Sequence, residues 1–419
     1  MSNNVESTGI LGQLFDPLKS TASNAPEAYR WSPTSQTWMT PLLIGVAVLI
    51  MTGVGFAIDH KQFYFSFLVG WLFAVSISVG ALFFLIIGHL TRASWNIVLR
   101  RIAEATAVAM PLLALVGIPI VFLGMHDLYH WTHLELFDPA NSAYDPVIAG
   151  KQGYLNAPFF MIRVVVYFLA WSWLSRALYK QSISQDGGNG EARAKMVKLS
   201  AIGLPVMAVT VSFAAFDLLM SLDPHWFSTI FGVYFFAGAF WTVHAFIAFI
   251  ANYLHSKGHL KGVVTSEHMH DVGKFMFGFT VFWAYIAFSQ YMLIWYGNLP
   301  EETVWFRHRL EEGWEIHSAV LLIMHFVVPF LILIPRFSKR MGSVMSFMAV
   351  YFFVMQWFDL HWLSMPVLHH HAMIHWMDVT AFIGFAALFL GMVLYRLSRH
   401  SLVPHQDPQF AASVGHVNL

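Results

Sequence analysis

An all-α, multi-pass membrane protein with about ten spanning helices is the fold class this sequence predicts. Three observations point to it. Of 419 residues, 57% are hydrophobic and only 11% are charged, against about 25% charged in soluble domains. Apolar runs of about 20 residues recur along the whole length, each able to cross a hydrocarbon core of about 30 Å. The cations are also sorted between alternate connections, as set out below.

Taken in order, the runs predict helices over 39–58, 63–89, 102–124, 157–178, 196–220, 226–254, 270–295, 314–335, 343–365 and 376–396. Pro111, Pro119, Pro205 and Pro329 fall inside them, where neighbouring helices can satisfy the freed carbonyls. Residues 1–38 form an N-terminal segment, 39–396 the membrane domain and 397–419 a C-terminal tail. In the first segment Ile10, Leu11, Leu14, Phe15 and Leu18 share one helical face. That spacing suits a short helix on the membrane surface and ordinary packing against the body equally well. No apolar core followed by a small-residue cleavage site, the mark of a signal peptide, is evident there.

Orientation follows from lysine and arginine. Of the 23, all but Lys61, Lys151, Arg163, Arg307 and Arg309 fall in the termini or in the loops after the second, fourth, sixth and eighth helices. The positive-inside rule then makes both termini cytoplasmic. The opposite loops carry His126, Asp127, His130, His133, Asp223, His225 and the run His369-His370-His371. That face is polar, acidic and rich in imidazole.

Zero formal net charge leaves no electrostatic basis for nucleic-acid binding. The absence of cysteine excludes disulfides, thiol nucleophiles and thiolate-held iron–sulfur clusters in this chain. Single intramembrane histidines at unequal depths argue against haem. His371 and His375 have a zinc-like i, i+4 spacing, but a docking or pH-sensitive loop explains them better, and no metal site is assigned.

What remains is a set of ionisable groups placed where hydrocarbon should be. Asp217 lies near the end of the fifth helix in FDLLMSLDPHWFSTIFGVYFF, and Asp359 takes the matching place in the ninth, with Gln356 one turn deeper. The repeated Phe-Asp-Leu suggests two like-oriented four-helix bundles, helices 2–5 and 6–9, with helices 1 and 10 outside. His325 and His244 fall inside the eighth and sixth helices, while Glu104, Asp271 and Lys274 mark the cytoplasmic ends of the third and seventh. Together they span the membrane in steps, as a proton path requires. A structural reading stands beside this one: Asp217 can pair with Arg163 and tie two helices together. His126 and Asp127 at the outer face can hydrogen-bond a quinol or simply line a solvated loop.

The spans and acid pattern resemble the polysulfide-reductase (NrfD-like) membrane subunits. The likeness is closest over FDLLMSLDPHWFSTIFGVYFF, over HDVGKFMFGFTVFWAYIAFSQYMLIWYGNLPEE from His270, and over SFLVGWLFAVSISVGALFFLIIGHLTRASWNIVLRRIAE from Ser66. These stretches look like the two such subunits of bacterial Alternative Complex III, and the short N-terminal region is similar to the shorter of them. The resemblance covers nearly all of residues 60–400. It implies a multisubunit quinol:cytochrome c oxidoreductase of the bacterial cytoplasmic membrane, in a respiratory or photosynthetic chain. Quinol, such as menaquinol, is oxidised on the outer side, and electrons leave through iron–sulfur clusters and c-type haems of partner subunits. The implied partners are a paralogous membrane subunit, an iron–sulfur protein and c-type cytochromes, with phospholipids around them. This chain would then contribute a proton path and scaffold without being catalytic alone. Two alternatives stay open: the chain binds quinol itself, through His126, Asp127 and Arg163, or it is an independent proton-coupled transporter.

Overall fold

The computed structural model describes residues 29–418; the predicted surface helix through Leu14 lies outside the described residues. Ten helices are long and apolar enough to cross a membrane: α1 (Ser35–Ala57), α2 (His60–Leu90), α3 (Ile97–Leu123), α4 (Ala157–Asp186), α5 (Ala192–Leu222), α6 (Phe231–Ser256), α7 (Ser266–Gly297), α8 (Trp314–Leu333), α9 (Gly342–Val367) and α10 (Trp376–Arg399). The protein is a multi-pass membrane protein. Each helix answers to one predicted run, with ends shifted by a few residues in most cases. α4 runs eight residues further than its apolar pattern, because Ser182, Gln185 and Asp186 at its end are buried by protein.

Local chemistry sets the ends. Asp59 caps α2 by accepting from Gln62 N, and Asn156 caps α4 by accepting from Phe159 N; both satisfy amides that the first turn leaves free. α7 stops at Asn298, whose φ of 48° is left-handed, a conformation asparagine tolerates better than most residues. α6 begins at Phe231. Asp223, in the turn ahead of it, accepts from His225 N.

Two helices are irregular, and proline accounts for both. α3 breaks between Ala107 and Met110, just before Pro111. In α8, residues Leu321–Val327 form a π-helix. Pro329 has no N–H and its ring crowds the carbonyl four residues back, that of His325. The wider π-turn ahead of it relieves that crowding, and such turns are common at functional sites.

The helices pack as two closed rings. In one, α2 contacts α3, α3 contacts α4, α4 contacts α5, and α5 returns to α2. In the other, α6, α7, α8 and α9 repeat the order. The rings join through α2 with α6, α5 with α6, and α9 with α2. The α2–α6 approach is close: a Cβ on Gly80 would stand 2.9 Å from the Cβ of Val243, so glycine is what lets the two backbones meet. These two helices are almost wholly buried, whereas α1 is largely exposed and packs on α10.

Both ends of the described chain meet at one end of the molecule. Leu402 N donates to Tyr29 O, Ser413 Oγ to Trp95 O, and Arg336 to Asn418 O. This is the basic end. The histidine-rich loops gather at the other, where His225 meets Asp145 at 2.6 Å and His60 meets Asp127 at 3.0 Å.

Candidate functional site

The two repeated aspartates occupy matching places in the two rings and have unlike partners. Asp217 on α5 is fully buried. Arg163 on α4 grips it through two bonds, Nε to Oδ2 at 2.9 Å and Nη2 to Oδ1 at 2.8 Å. Tyr167 adds its hydroxyl to Oδ2 at 2.8 Å. Arg163 also donates to Tyr154 O, and its guanidinium lies 3.9 Å from the Tyr154 ring and 4.3 Å from that of Phe159. A bidentate pair of this kind is among the stronger polar contacts a protein makes. Of the two sequence readings for Asp217, the geometry is that of the structural pair: adding a proton would strand a buried guanidinium.

Asp359 on α9 is equally buried, 2% exposed, but no lysine, arginine or histidine nitrogen of a described residue lies within ion-pairing distance. Its partners are neutral. Tyr234 of α6 donates to Oδ1 at 2.5 Å, and Trp283 of α7 donates to Oδ2 at 3.3 Å. This carboxyl can gain or lose a proton without breaking an ion pair.

The same ring holds two more of the candidates. The π-turn of α8 directs His325 between two indoles, 3.8 Å from Trp283 and 4.1 Å from Trp241. Neither of its ring nitrogens has a partner among the described residues. Gln356, one turn from Asp359, is buried beside Gly238 with its amide oxygen also unpartnered. Trp283 thus touches both Asp359 and His325.

The other candidates lie elsewhere. His244 gives Nδ1 to Phe240 O and stacks on Phe275 at 4.9 Å. Phe275 also lines a cavity of about 680 Å³ at the basic end, with Trp95, Asp271, Lys274 and His416. Asp271 binds His416 at 2.5 Å and pairs with Lys274. Glu104 belongs to a separate network: Arg101 at 2.9 Å and Arg100 at 3.3 Å hold it, and they extend to Asp186 and to Asp407 of the tail. Glu104 is 1% exposed, so it is enclosed by protein rather than solvated. The predicted start of the third helix at 102 left Arg100 and Arg101 outside and hid this pairing.

His126 and Asp127 line a vestibule of about 470 Å³ at the histidine-rich end, together with His130, Asp223, His225, Arg309 and His369. Arg163 is not on its wall and is committed to Asp217, so the three suggested quinol ligands do not converge. His371 pairs with Glu312 at 3.0 Å and His375 caps α10.

Three features escaped the sequence. Tyr234 looked like one aromatic among many in an apolar span. Asp378, buried, collects Gln62, Ser66 and the backbone of His375, with His361 Nε2 at 3.3 Å; its place in the first turn of α10 is that of a capping residue. Arg309 counted only as one of few cations on its face. It is 1% exposed, and burial, opposed by Asp223 and Tyr234, pushes its pKa down to about 9. Of these, His361 near Asp378 is the one signal a closer reading of histidines at helix ends would have raised.

Compared with known proteins, the chain matches no family model and no curated protein.

Proposed function

We propose that this chain is the proton-conducting membrane subunit of a quinol:electron-acceptor oxidoreductase, seated in a bacterial cytoplasmic membrane with its basic end inward. The observation that carries the reading is Asp359: a buried carboxyl with only neutral donors, one indole away from an unpartnered histidine on a π-turn. Ionisable groups are costly inside a membrane and persist where protons or ions must pass. In this reading Asp359 exchanges the proton and Tyr234 is its hydroxyl partner towards the vestibule side. His325 and Gln356 continue the ring interior, and His244 with the Asp271–Lys274 cavity forms the approach from the basic end. Quinol oxidation, iron–sulfur clusters and c-type haems belong to partner subunits. Asp217, Arg163 and Glu104 serve as structural ties.

The test is Asp359→Asn in the intact complex, reconstituted in liposomes, with quinol turnover and proton yield measured together. The reading expects turnover to continue with a lower proton yield per electron. An unchanged yield would remove Asp359 from the path. Isolation of the chain alone with transport activity would instead favour an independent carrier.

A further inference from the structure

Between α7 and α8, near the histidine-rich end, lies a cavity of about 430 Å³ that no group discussed so far occupies. Ala284, Ala287 and Phe288 of α7 form one wall, Ala319 and Leu322 of α8 the other, and Phe306 the roof. Phe288 is 61% exposed and Leu322 59%, so the cavity opens sideways, where bilayer chains lie. Its size is that of an ordinary small-molecule site.

Two opposite charges, Arg309 and Glu315, sit on its wall, and no described residue forms an ion pair with either. Arg309 is buried, its guanidinium 3.4 Å from the Trp305 ring. Its donors reach only carbonyls: Trp305 O at 2.9 Å, Leu363 O at 2.7 Å and Trp362 O at 3.2 Å. No carboxylate of a described residue comes within ion-pairing distance, and Asp223 faces it only from the vestibule side. Glu315 is exposed and accepts from Gly313 N at 2.8 Å, and no cationic side chain among the described residues pairs with it. The two charges share one cavity without touching each other. The buried charge of Arg309, left without a counter-charge, is unfavourable; a ligand bearing both signs would answer it and at the same time engage the exposed Glu315.

We propose that this cavity binds one zwitterionic phospholipid with a primary ammonium head, its phosphate towards Arg309, its ammonium towards Glu315 and its chains leaving past Phe288 and Leu322. An anionic lipid would meet repulsion from Glu315. A choline head has no N–H to donate to that carboxylate. A neutral lipid-soluble ring would leave both charges unanswered. The inner wall is made by Tyr234 and Trp283, the two donors to Asp359, so the lipid also closes the side route from the bilayer to that acid. The binding claim stands independently of the proton reading.

Native mass spectrometry of the full-length protein, released from nanodiscs of phosphatidylethanolamine, phosphatidylglycerol and phosphatidylcholine in equal parts, tests it. One phosphatidylethanolamine should survive delipidation in preference to the other two. Ala287→Trp, which fills a lipid-facing cavity, should abolish that retention. Glu315→Gln, at an exposed site, should weaken the preference by about tenfold, the scale of one charge-assisted hydrogen bond. Equal retention of the three lipids, or retention untouched by Ala287→Trp, would overturn the assignment. So would displacement of the lipid by a neutral quinone analogue at equal concentration.

Discussion

The ring α2–α5 and the ring α6–α9 carry an aspartate at the same point, and they use it in opposite ways. In the first, Asp217 is locked by Arg163 in two bonds, and the basic end is tied again by Arg100, Arg101, Glu104, Asp186 and Asp407. In the second, Asp359 has a phenol and an indole, and no cation among the described residues. One ring spends its buried charge on holding helices together. The other keeps a carboxyl free to change protonation state. A repeated Phe-Asp-Leu does not repeat a role; the residues that face it from neighbouring helices assign the role.

The sharpest way to break this comparison is to remove the cation. Arg163→Met should destabilise the protein by about 3–5 kcal/mol, because it leaves Asp217 buried and uncompensated. Adding Asp217→Leu to it should recover most of the loss, as apolar replacements of whole buried pairs do. Asp359→Asn should cost only about 1 kcal/mol, since the amide oxygen still accepts from Tyr234. Thermal unfolding of the purified variants measures all three. If Asp359→Asn is as damaging as Arg163→Met, then Asp359 is a structural residue too and the contrast between the rings disappears.

A smaller effect sharpens the contrast at the hydroxyls. Tyr234→Phe and Tyr167→Phe each remove one donor to a buried aspartate. Asp217 keeps its arginine, whereas Asp359 keeps only Trp283. The expected stability losses are about 1 kcal/mol for Tyr167→Phe and about 1.5–3 kcal/mol for Tyr234→Phe. Only the second should also lower the proton yield per electron of the reconstituted complex. Equal effects on yield would place both tyrosines on one footing.

How much of this was legible in the sequence depends on range. All ten spans were, because hydropathy is a local sum and a bilayer demands a fixed length. The place of Asp217 and Asp359 was legible too, since both sit on a repeated tripeptide. Their partners were legible only in part: Arg163 stood as one of two readings for Asp217, whereas Tyr234 was not foreseen for Asp359. Arg163 lies 54 residues from Asp217 and Tyr234 lies 125 from Asp359, and nothing in either window marks one as paired and the other as free. The π-turn that aims His325 had a visible cause in Pro329, but a proline inside a span also fits a plain kink. Asp378 and Arg309 were hidden for another reason: at a helix start or in a loop, a charge reads as solvated, and only packing by other segments buries it.

The first ring's dependence on charge also predicts how acid should act on its tail. Asp407 is buried against Arg100 at 2.8 Å. Burial alone would raise its pKa, but Arg100, the amide of Gln409 and Arg193 together hold it below its ordinary 3.8. A carboxylate with a lowered folded value contributes its full stability above the ordinary value and loses it as pH falls through the folded one. Limited proteolysis of the tail after Arg399 should therefore accelerate below about pH 4. Asp407→Asn should give the acid behaviour at neutral pH, a loss of about 1.5–3 kcal/mol in tail docking.

The smallest effect belongs to Asp145, which ties the α3–α4 loop to His225 of the α5–α6 loop at 2.6 Å. Burial pushes its pKa up, but the amides of Ile148 and Val147 and the His225 ring outweigh this and leave it below 3.8. The sign is the same as for Asp407: the link is complete above the ordinary aspartate value and lost beneath the folded one. The magnitude is not, because His225 is half exposed, and a solvent-screened pair contributes at most about 1 kcal/mol. Asp145→Asn should therefore shift the unfolding midpoint only slightly, and high salt should erase the difference from the parent protein. The buried clamp at Asp407 should hardly respond to salt. Equal salt sensitivity at the two sites would mean that water reaches the tail network, and that the first ring is held less firmly at its basic end than at Arg163.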